Sequence, residues 1–366
     1  MHLRILDKYI FREVTLAYLF GICAFTAVFI GTGTLFRIAE YITDYGASFA
    51  SVVKIFIFSM PAVVIWTFPM SMLVSSLLTY ARLSGNSEIT AMKSCGVSFF
   101  RIAAPAIVLG GMVSIFAIGF NEYVVPWANT AYRNVLNYEI QGAVATKSQE
   151  HIILKQMDNG VMQRLAYARR YDAETQQLQG VSLQEFGADG KVSHVENAEY
   201  ADWNGSVWTM HNGMIYDIAS DEKSSEHTVR FKTQTLPIEV TPKQVVSEQK
   251  ELEELTMREL SEQIDIMRTQ YVDTSKLETE FHQRVTIPMA SLVFALVGVP
   301  LGLQPNRRTS AKGFAISVVI IFSYYALMTI GNALARSGSW PPMLAVWMPN
   351  VVSIIFGALL IRKASR

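Results

Sequence analysis

The stretch Val14–Phe36, VTLAYLFGICAFTAVFIGTGTLF, decides the fold class of this chain. It carries no charged residue and exceeds the roughly 18 apolar residues that indicate a membrane-spanning helix. Because the backbone in hydrocarbon must satisfy its own hydrogen bonds, such a stretch crosses a bilayer as a helix. It is too long for the apolar region of a cleavable signal peptide, and no small-residue cleavage site follows it, so we expect it to remain as the first span.

Five further uncharged runs of comparable length follow along the chain: Ile55–Ala81, Ile102–Asn121, Val285–Asn306, Gly313–Ala335 and Ser337–Ile361. The last begins with a loop-like segment, so its helix is expected to start near Met343. Only 17% of the 366 residues are charged, which is low for a soluble domain, and the formal net charge of zero gives no reason to expect nucleic-acid binding. The sequence therefore predicts six spans, three on each side of a central polar region.

Basic residues in the short loops indicate the orientation of the spans. One side holds Arg4, Lys8, Arg12, Arg82, Lys93, Arg101, Arg307, Arg308, Lys312, Arg362, Lys363 and Arg366. The opposite short loops hold only Arg37, Lys54 and Arg336. By the positive-inside rule, both termini are predicted to be cytoplasmic and the central region to lie on the far side.

The central polar region has the pattern of a β domain. From about Ala143 to Val246 the hydrophobic period is two, as in Val192–Val195 and Val207–Met210. Pairs typical of hairpin turns punctuate it: Asp158–Gly160, Asp189–Gly190, Asn204–Gly205 and Asn212–Gly213. We expect an antiparallel β-sandwich or an open, jelly-roll-like sheet.

These patterns predict a membrane α-helical protein with six transmembrane helices and an inserted all-β, jelly-roll-like domain on the side of the membrane opposite the termini. The predicted parts are an N-terminal membrane half at residues 1–122, the β domain with flanking helices at 123–284, and a C-terminal membrane half at 285–366. One flanking helix follows Pro242, where Thr256–Glu259 forms a capping box, and it is expected to end near Thr269.

No motif in the chain indicates an enzyme. P-loop, GxSxG, HExxH and EF-hand sequences are all absent, and the six histidines are scattered. Cys23 and Cys95 do not resemble a disulfide pair, and no His/Cys cluster suggests a metal site. We therefore expect no catalytic residue, no metal and no cofactor in this chain.

The cytoplasmic loop RLSGNSEITAMKSCGVSFFR, Arg82–Arg101, predicts a short amphipathic helix. Ser87 is a candidate N-cap and Gly96 suits the C-terminal end. The helix would include four residues of interest, Glu88, Ile89, Met92 and Lys93. It could anchor at the membrane interface or dock into a groove on a cytoplasmic partner, and the residues alone leave both alternatives open.

Two arginines near the outer membrane boundary are candidate phosphate ligands. Arg37 lies at the outer end of the first span, and Arg133 follows the third span by about three turns if that helix continues. Guanidinium binds phosphate bidentately, which suits a phosphorylated lipid. The alternatives are that Arg37 only extends to the headgroups or pairs with Glu40, and that Arg133 is an ordinary surface arginine.

Three segments resemble one known family over the whole chain: LDKYIFRE (Leu6–Glu13), SEITAMKSCGVS (Ser87–Ser98) and FHQRVTIPMASLVFALVGVPLGL (Phe281–Leu303). They are similar to the lipopolysaccharide-export permease subunits of the YjgP/YjgQ, or LptF/LptG, family. The resemblance implies a permease subunit that pairs with a second six-span homologue or with a copy of itself. It also implies a cytoplasmic ABC ATPase dimer as partner, which would hold ATP and Mg²⁺, and a periplasmic β-jellyroll bridge that receives the lipopolysaccharide.

The resemblance also implies roles for individual residues. Glu88, with Ile89, Met92 and Lys93 beside it, matches the helix that contacts the ATPase, while Arg37 and Arg133 match basic positions implicated in binding lipid phosphates. Leu136 departs from the family, where some relatives have a basic residue. A non-transporting membrane scaffold or sensor that displays a periplasmic β domain would explain the same layout, whereas a membrane enzyme would need a catalytic set that the chain lacks.

Overall fold

In the computed structural model of the chain, the structure describes residues 5–140, 149–158, 161–172, 175–187, 192–217, 228–237, 251–269, 272–303 and 310–364. The chain divides into two compact units, one holding Met1–Ile140 and Glu251–Arg366 and the other Gln141–Lys250. The predicted boundaries, after residues 122 and 284, followed the change in charge. The boundaries of the compact units lie closer to the β strands than the predicted boundaries do. The reason is that the helices that flank the β domain pack with the membrane helices.

The membrane unit consists of helices. They are α1 (Ile5–Tyr45), α2 (Phe49–Gly85), α3 (Glu88–Ser94), α4 (Phe99–Ile140), α5 (Met257–Thr269), α6 (Ser275–Gly302), α7 (Ser310–Arg336) and α8 (Pro342–Ala364). All but α3 and α5 are long and apolar enough to cross a membrane, so the six predicted spans are confirmed. Helix α4 continues well past Asn121, and Arg133 therefore lies on the same helix as the third span.

Two of the spanning helices contain π-helical turns. In α1 the π turn is Ile30–Thr34, where the backbone N–H of Leu35 donates to Ile30 O. Helix α4 contains two, at Phe120–Val124 and Val135–Ile140. Each is a local widening of the helix, and such turns are frequently found at functional sites.

Helix α6 is the central packing element, and small residues bring its neighbours close. A Cβ on Gly302 would lie 2.7 Å from Leu77 O of α2, and one on Gly110 of α4 would lie 2.9 Å from Ala295 Cβ. No side chain fits at either position without moving a neighbour. Close approach of these backbones is the usual way that membrane helices gain packing energy.

A serine from α4 is inserted into the backbone of α6. Pro288 has no N–H to donate to Arg284 O, and Asn121 Nδ2 donates to that carbonyl at 3.3 Å instead. Ser114 Oγ donates to Pro288 O at 2.9 Å and accepts from the Leu292 N–H at 3.1 Å. Asn121 thus satisfies a carbonyl that Pro288 leaves without its usual donor, and Ser114 bonds to two backbone atoms in the next turn of α6.

The second unit is an antiparallel sheet. Its described strands, β1 (Gln149–Asp158), β2 (Val161–Asp172), β3 (Gln177–Phe186), β4 (Val192–Trp203), β5 (Trp208–Asp217) and β6 (Thr228–Leu236), pair in chain order. The predicted all-β class is confirmed, and the strands at Val192–Val195 and Val207–Met210 lie in β4 and β5. The jelly-roll connectivity remains a prediction.

One of the predicted turns is wrong and one is confirmed. Asn204–Gly205 does connect β4 to β5, and Asn204 Oδ1 accepts from the N–H groups of Ser206 and Val207. Asn212–Gly213 lies inside β5, where Gly213 is opposite Ala198 and leaves room for the Phe231 ring. The predicted turns Asp158–Gly160 and Asp189–Gly190 fall wholly or partly outside the described residues.

A carboxylate is buried in the sheet unit. Glu196 of β4 accepts from Gln234 Nε2 at 3.0 Å through Oε1, while its Oε2 has no hydrogen-bond partner among the described residues. Burial raises the pKa of the Glu196 carboxyl above its usual range, and the bond from Gln234 only partly opposes this. An ionised carboxylate at this position therefore reduces the stability of the fold.

Candidate functional site

A cavity of about 260 Å³ lies between α1, α2 and α4. Among the residues that the structure describes, Arg37 is the one charged side chain in its lining. The other lining residues are apolar or uncharged polar: Phe29, Gly33, Thr34, Ile55, Ser59, Ala62, Val63, Asn129 and Tyr132. We call it the Arg37 cavity. A cation beside apolar walls is the arrangement that a phosphorylated lipid requires, because its head is anionic and its chains are not.

The Arg37 side chain is exposed and available for a ligand. It lies three residues after the end of the π turn Ile30–Thr34 of α1 and makes no hydrogen bond or ion pair within the part of the chain that the structure describes. The structure does not show the alternative ion pair between Arg37 and Glu40. Arg37 therefore keeps all its donors for an anion at the mouth of the cavity.

Arg133 lies outside that cavity lining and is already paired. Its Nη1 is 2.9 Å from Glu254 Oε2, with side-chain exposures of 18% and 6%. Glu254 belongs to a short segment, Glu251–Leu255, that leads back from the β domain to α5, and we call it the return segment. Glu254 Oε2 also accepts from the Glu251 N–H at 3.2 Å.

The return segment is bonded to α4 at a second point. Asn129 Nδ2 donates to Glu253 O at 2.9 Å, and Asn129 also lines the Arg37 cavity. Burial raises the pKa of the Glu254 carboxyl, and the charge and hydrogen bond of Arg133 oppose that rise. Arg133 thus compensates a poorly solvated carboxylate, and its Nη1 is already bonded to Glu254.

The short cytoplasmic helix predicted at Glu88 is present as α3, Glu88–Ser94. Gly96 ends it with a φ of 80°, and its N–H donates to Lys93 O at 2.9 Å, as expected for a glycine after a helix. The predicted Ser87 cap is wrong, because Ser87 has a left-handed φ of 63° and its side chain makes no capping bond. An N-cap serine needs an extended backbone to reach the first N–H groups.

The four residues predicted to contact an ATPase divide between two faces of α3. Ile89 is buried, and Met92 packs against the same hydrophobic cluster of the membrane helices. Lys93 is exposed and Glu88 is half-buried. The apolar pair therefore anchors α3 to its own chain, and the surface left for a partner is polar, with Glu88 and Lys93 as its charged members.

The first turns of α1 contact the α3 region, a contact that was not predicted from the sequence. Tyr9 Oη donates to Glu88 Oε2 at 3.0 Å, Glu13 forms an ion pair with Arg82, and Asp7 lies 3.7 Å from Arg101 Nη2. The available signal was in LDKYIFRE, where Tyr9 and Glu13 are one helical turn apart and share a face.

The chain is similar to known proteins of one family. The family model described as "Lipopolysaccharide export system permease LptF/LptG" matches residues 8–363. The lipopolysaccharide export system permease protein LptG of Haemophilus influenzae is 20% identical over 357 residues, which is 96% of this chain and 96% of that protein. LptG of Escherichia coli K12 is 20% identical over 302 residues, 81% of each chain.

Proposed function

The chain belongs to the lipopolysaccharide export system permease LptF/LptG family, and from this membership we propose that it is one permease subunit of an ATP-driven transporter that extracts lipopolysaccharide from the inner membrane. The family match over residues 8–363 carries the proposal, because it spans both membrane halves and the sheet domain. A scaffold or sensor would have the same layout but would not account for this membership.

The Arg37 cavity supports the lipid-binding part of the proposal. Arg37 would bind a phosphate of the lipid, and the apolar side chains beside it would contact acyl chains. Each buried CH₂ contributes about 0.8 kcal/mol, so apolar walls next to the cation add substantially to the affinity. We propose that Arg133 also binds a lipid phosphate, although its Nη1 is bonded to Glu254 in this structure.

The polar face of α3 supports an ATPase partner. We propose that Glu88 and Lys93 contact a cytoplasmic ABC ATPase dimer, while Ile89 and Met92 hold α3 against the membrane helices. ATP and Mg²⁺ would be bound by that partner, and this chain would have no catalytic residue. Both termini would then be cytoplasmic and the sheet domain periplasmic, in agreement with the distribution of basic residues.

Large apolar side chains on the outer surfaces of the spanning helices support assembly within the inner membrane. Phe20 and Phe36 of α1 are 76% and 72% exposed, and Phe322 of α7 is 75% exposed. We propose that these surfaces face lipid or a second six-span permease subunit, either a homologue or a second copy of this chain. The sheet domain would pass the lipid to a periplasmic β-jellyroll bridge.

Reconstitution tests the proposed function directly. The chain is co-expressed with the ABC ATPase and the second permease subunit of its source, purified, and placed in vesicles that contain lipopolysaccharide. We expect the three proteins to co-purify and ATP to drive release of lipopolysaccharide to a soluble acceptor. Purification of the chain without any ATPase, together with release that does not depend on ATP, would contradict the proposal.

A further inference from the structure

The carboxylate of Glu88 is held on both of its oxygens. Asn86 Nδ2 donates to Oε1 at 3.2 Å, from only two residues away in the chain. Tyr9 Oη donates to Oε2 at 3.0 Å, and Tyr9 belongs to a different helix. The orientation of the Glu88 carboxylate therefore depends on α1 as well as on its own loop.

Two ion pairs lie on either side of the Tyr9 contact. Glu13 of α1 pairs with Arg82 at the end of α2, and Asp7 pairs with Arg101 at the start of α4. The arginine side chains are 52% and 34% exposed, so salt screens these pairs and each contributes little. The Tyr9 hydroxyl is the only α1 group among the described residues that is hydrogen-bonded to α3 itself.

Helix α1 is continuous from Ile5 to Tyr45, and it carries Arg37 near its other end. At about 1.5 Å of rise per residue, Tyr9 and Arg37 are separated by roughly 40 Å along the helix axis. A helix that is bonded to α3 at one end and carries the cavity cation at the other can relay a displacement between them.

We propose that Tyr9 is a positioning residue: it fixes the Glu88 carboxylate and joins α3 to α1, so that ATPase-driven motion of α3 passes directly to the helix that carries Arg37. This inference rests on the proposed function, because it takes α3 as the ATPase contact. The competing route is transmission through α2 alone, which is covalently continuous with the α3 loop. The two routes differ in whether the Tyr9 hydroxyl matters.

The two cysteines of the chain allow a direct test. Cys23 lies on α1 and Cys95 immediately follows α3, and both are free and exposed. Spin labels on these two cysteines, in the complex with the ATPase, report the distance between α1 and the α3 region. We expect the distance distribution in the unmodified chain to be the same with and without ATP. In Tyr9→Phe we expect it to broaden or shift when ATP is added.

Tyr45→Phe is the matched control, because Tyr45 is on the same helix, is exposed, and makes no hydrogen bond within the described residues. A second measurement is lipopolysaccharide released per ATP hydrolysed. Loss of one hydrogen bond to a charged group should lower this ratio about threefold or more in Tyr9→Phe, with the amount of co-purified ATPase unchanged.

Two results would overturn the inference while leaving the proposed function intact. One is a Tyr9→Phe complex that matches the unmodified complex in both measurements. The other is an α1–α3 distance that changes with ATP as much in the unmodified chain as in the variant. Failure of the unmodified chain to co-purify with the ATPase would contradict the proposed function and this inference together.

Discussion

Arg133 of α4 and Glu254 of the return segment form a largely buried ion pair, with 2.9 Å between Nη1 and Oε2. The two residues are far apart in the chain, and their contact fixes the return segment against the third spanning helix. A residue that is expected from the family to bind a lipid phosphate therefore also has a structural role. Charge reversal at Arg133 would affect both roles together, so the two must be separated by measurement.

We predict that Arg133→Gln destabilises the membrane unit by about 3 kcal/mol, because it leaves Glu254 as a poorly solvated carboxylate without its partner. The measurement is the thermal unfolding temperature of the purified chain in detergent. Arg258→Gln is the control, since its partner Glu262 is in an exposed pair with Arg258 89% exposed. If Arg133→Gln lost lipid binding with no change in unfolding temperature, its main role would be in lipid binding.

Arg37→Gln should weaken lipopolysaccharide binding about tenfold without lowering the unfolding temperature, because a charge-assisted bond to phosphate is lost while no bond within the described chain is broken. Binding to dephosphorylated lipid should be unaffected by the substitution. Lys54→Gln serves as the control, since Lys54 is also a basic residue and follows the same interhelical loop that Arg37 precedes, but it pairs with Glu139. An equal effect on both lipids would exclude phosphate recognition by Arg37.

Substitutions on the two faces of α3 should have different effects: one on the buried face should lower the stability of the chain, and one on the polar face should weaken binding of the ATPase. Ile89→Ala is expected to cost about 2–4 kcal/mol of stability, because a buried side chain is truncated.

Glu88→Lys is expected to abolish co-purification of the ATPase with little change in unfolding temperature, whereas Lys363→Glu at the exposed end of α8 should change neither. Retention of the ATPase by Glu88→Lys would disprove the docking role of that carboxylate.

The buried carboxylate of Glu196 should make the sheet domain less stable as the pH rises. Its folded-state pKa is raised, so the folded protein binds this proton more tightly than the unfolded chain does. The stability it contributes is present at low pH and is lost as the pH rises through the folded-state pKa. Glu196→Gln should therefore stabilise the domain at neutral pH, on the order of 1 kcal/mol.

Hydrogen exchange of the β4–β6 segments at several pH values, corrected for intrinsic exchange, measures this effect in the full chain. Glu199→Gln is the matched control, because Glu199 is an exposed neighbour on the same strand that accepts from Asn212 at 3.1 Å. Equal pH dependence of protection in Glu196→Gln and in the unmodified chain would show that this carboxylate is not the titrating group.

The sequence was sufficient for the six spans because hydrocarbon permits few alternatives: an uncharged run of that length must be helical. Helix ends were less predictable, since α4 continues beyond Asn121 through polar residues that pack with the rest of the membrane unit. In the sheet, Asn212–Gly213 has the composition of a hairpin turn, but Gly213 instead accommodates the Phe231 ring. The composition of such a pair does not show whether the glycine is needed for its backbone freedom in a turn or for the space that its missing side chain leaves.

For the site, local sequence located the cations but not their environments. Arg37 was recognisable as a charge at a span boundary. That it forms no ion pair with Glu40 could be seen only in the structure. The partner of Arg133 lies in the return segment, which no local pattern connects to α4. The Tyr9–Glu88 contact is similarly distant in sequence, so neither helical periodicity nor capping signals could reveal it.

The π turn before Arg37 determines the direction in which the later side chains of α1 point. If Ile30–Thr34 formed an ordinary α-helical turn with no residue removed, every later side chain of α1 would rotate by up to about 100° about the helix axis. Arg37 would then point away from the cavity although the sequence was unchanged. The winding of this turn is therefore as much a determinant of the cation's direction as the arginine itself.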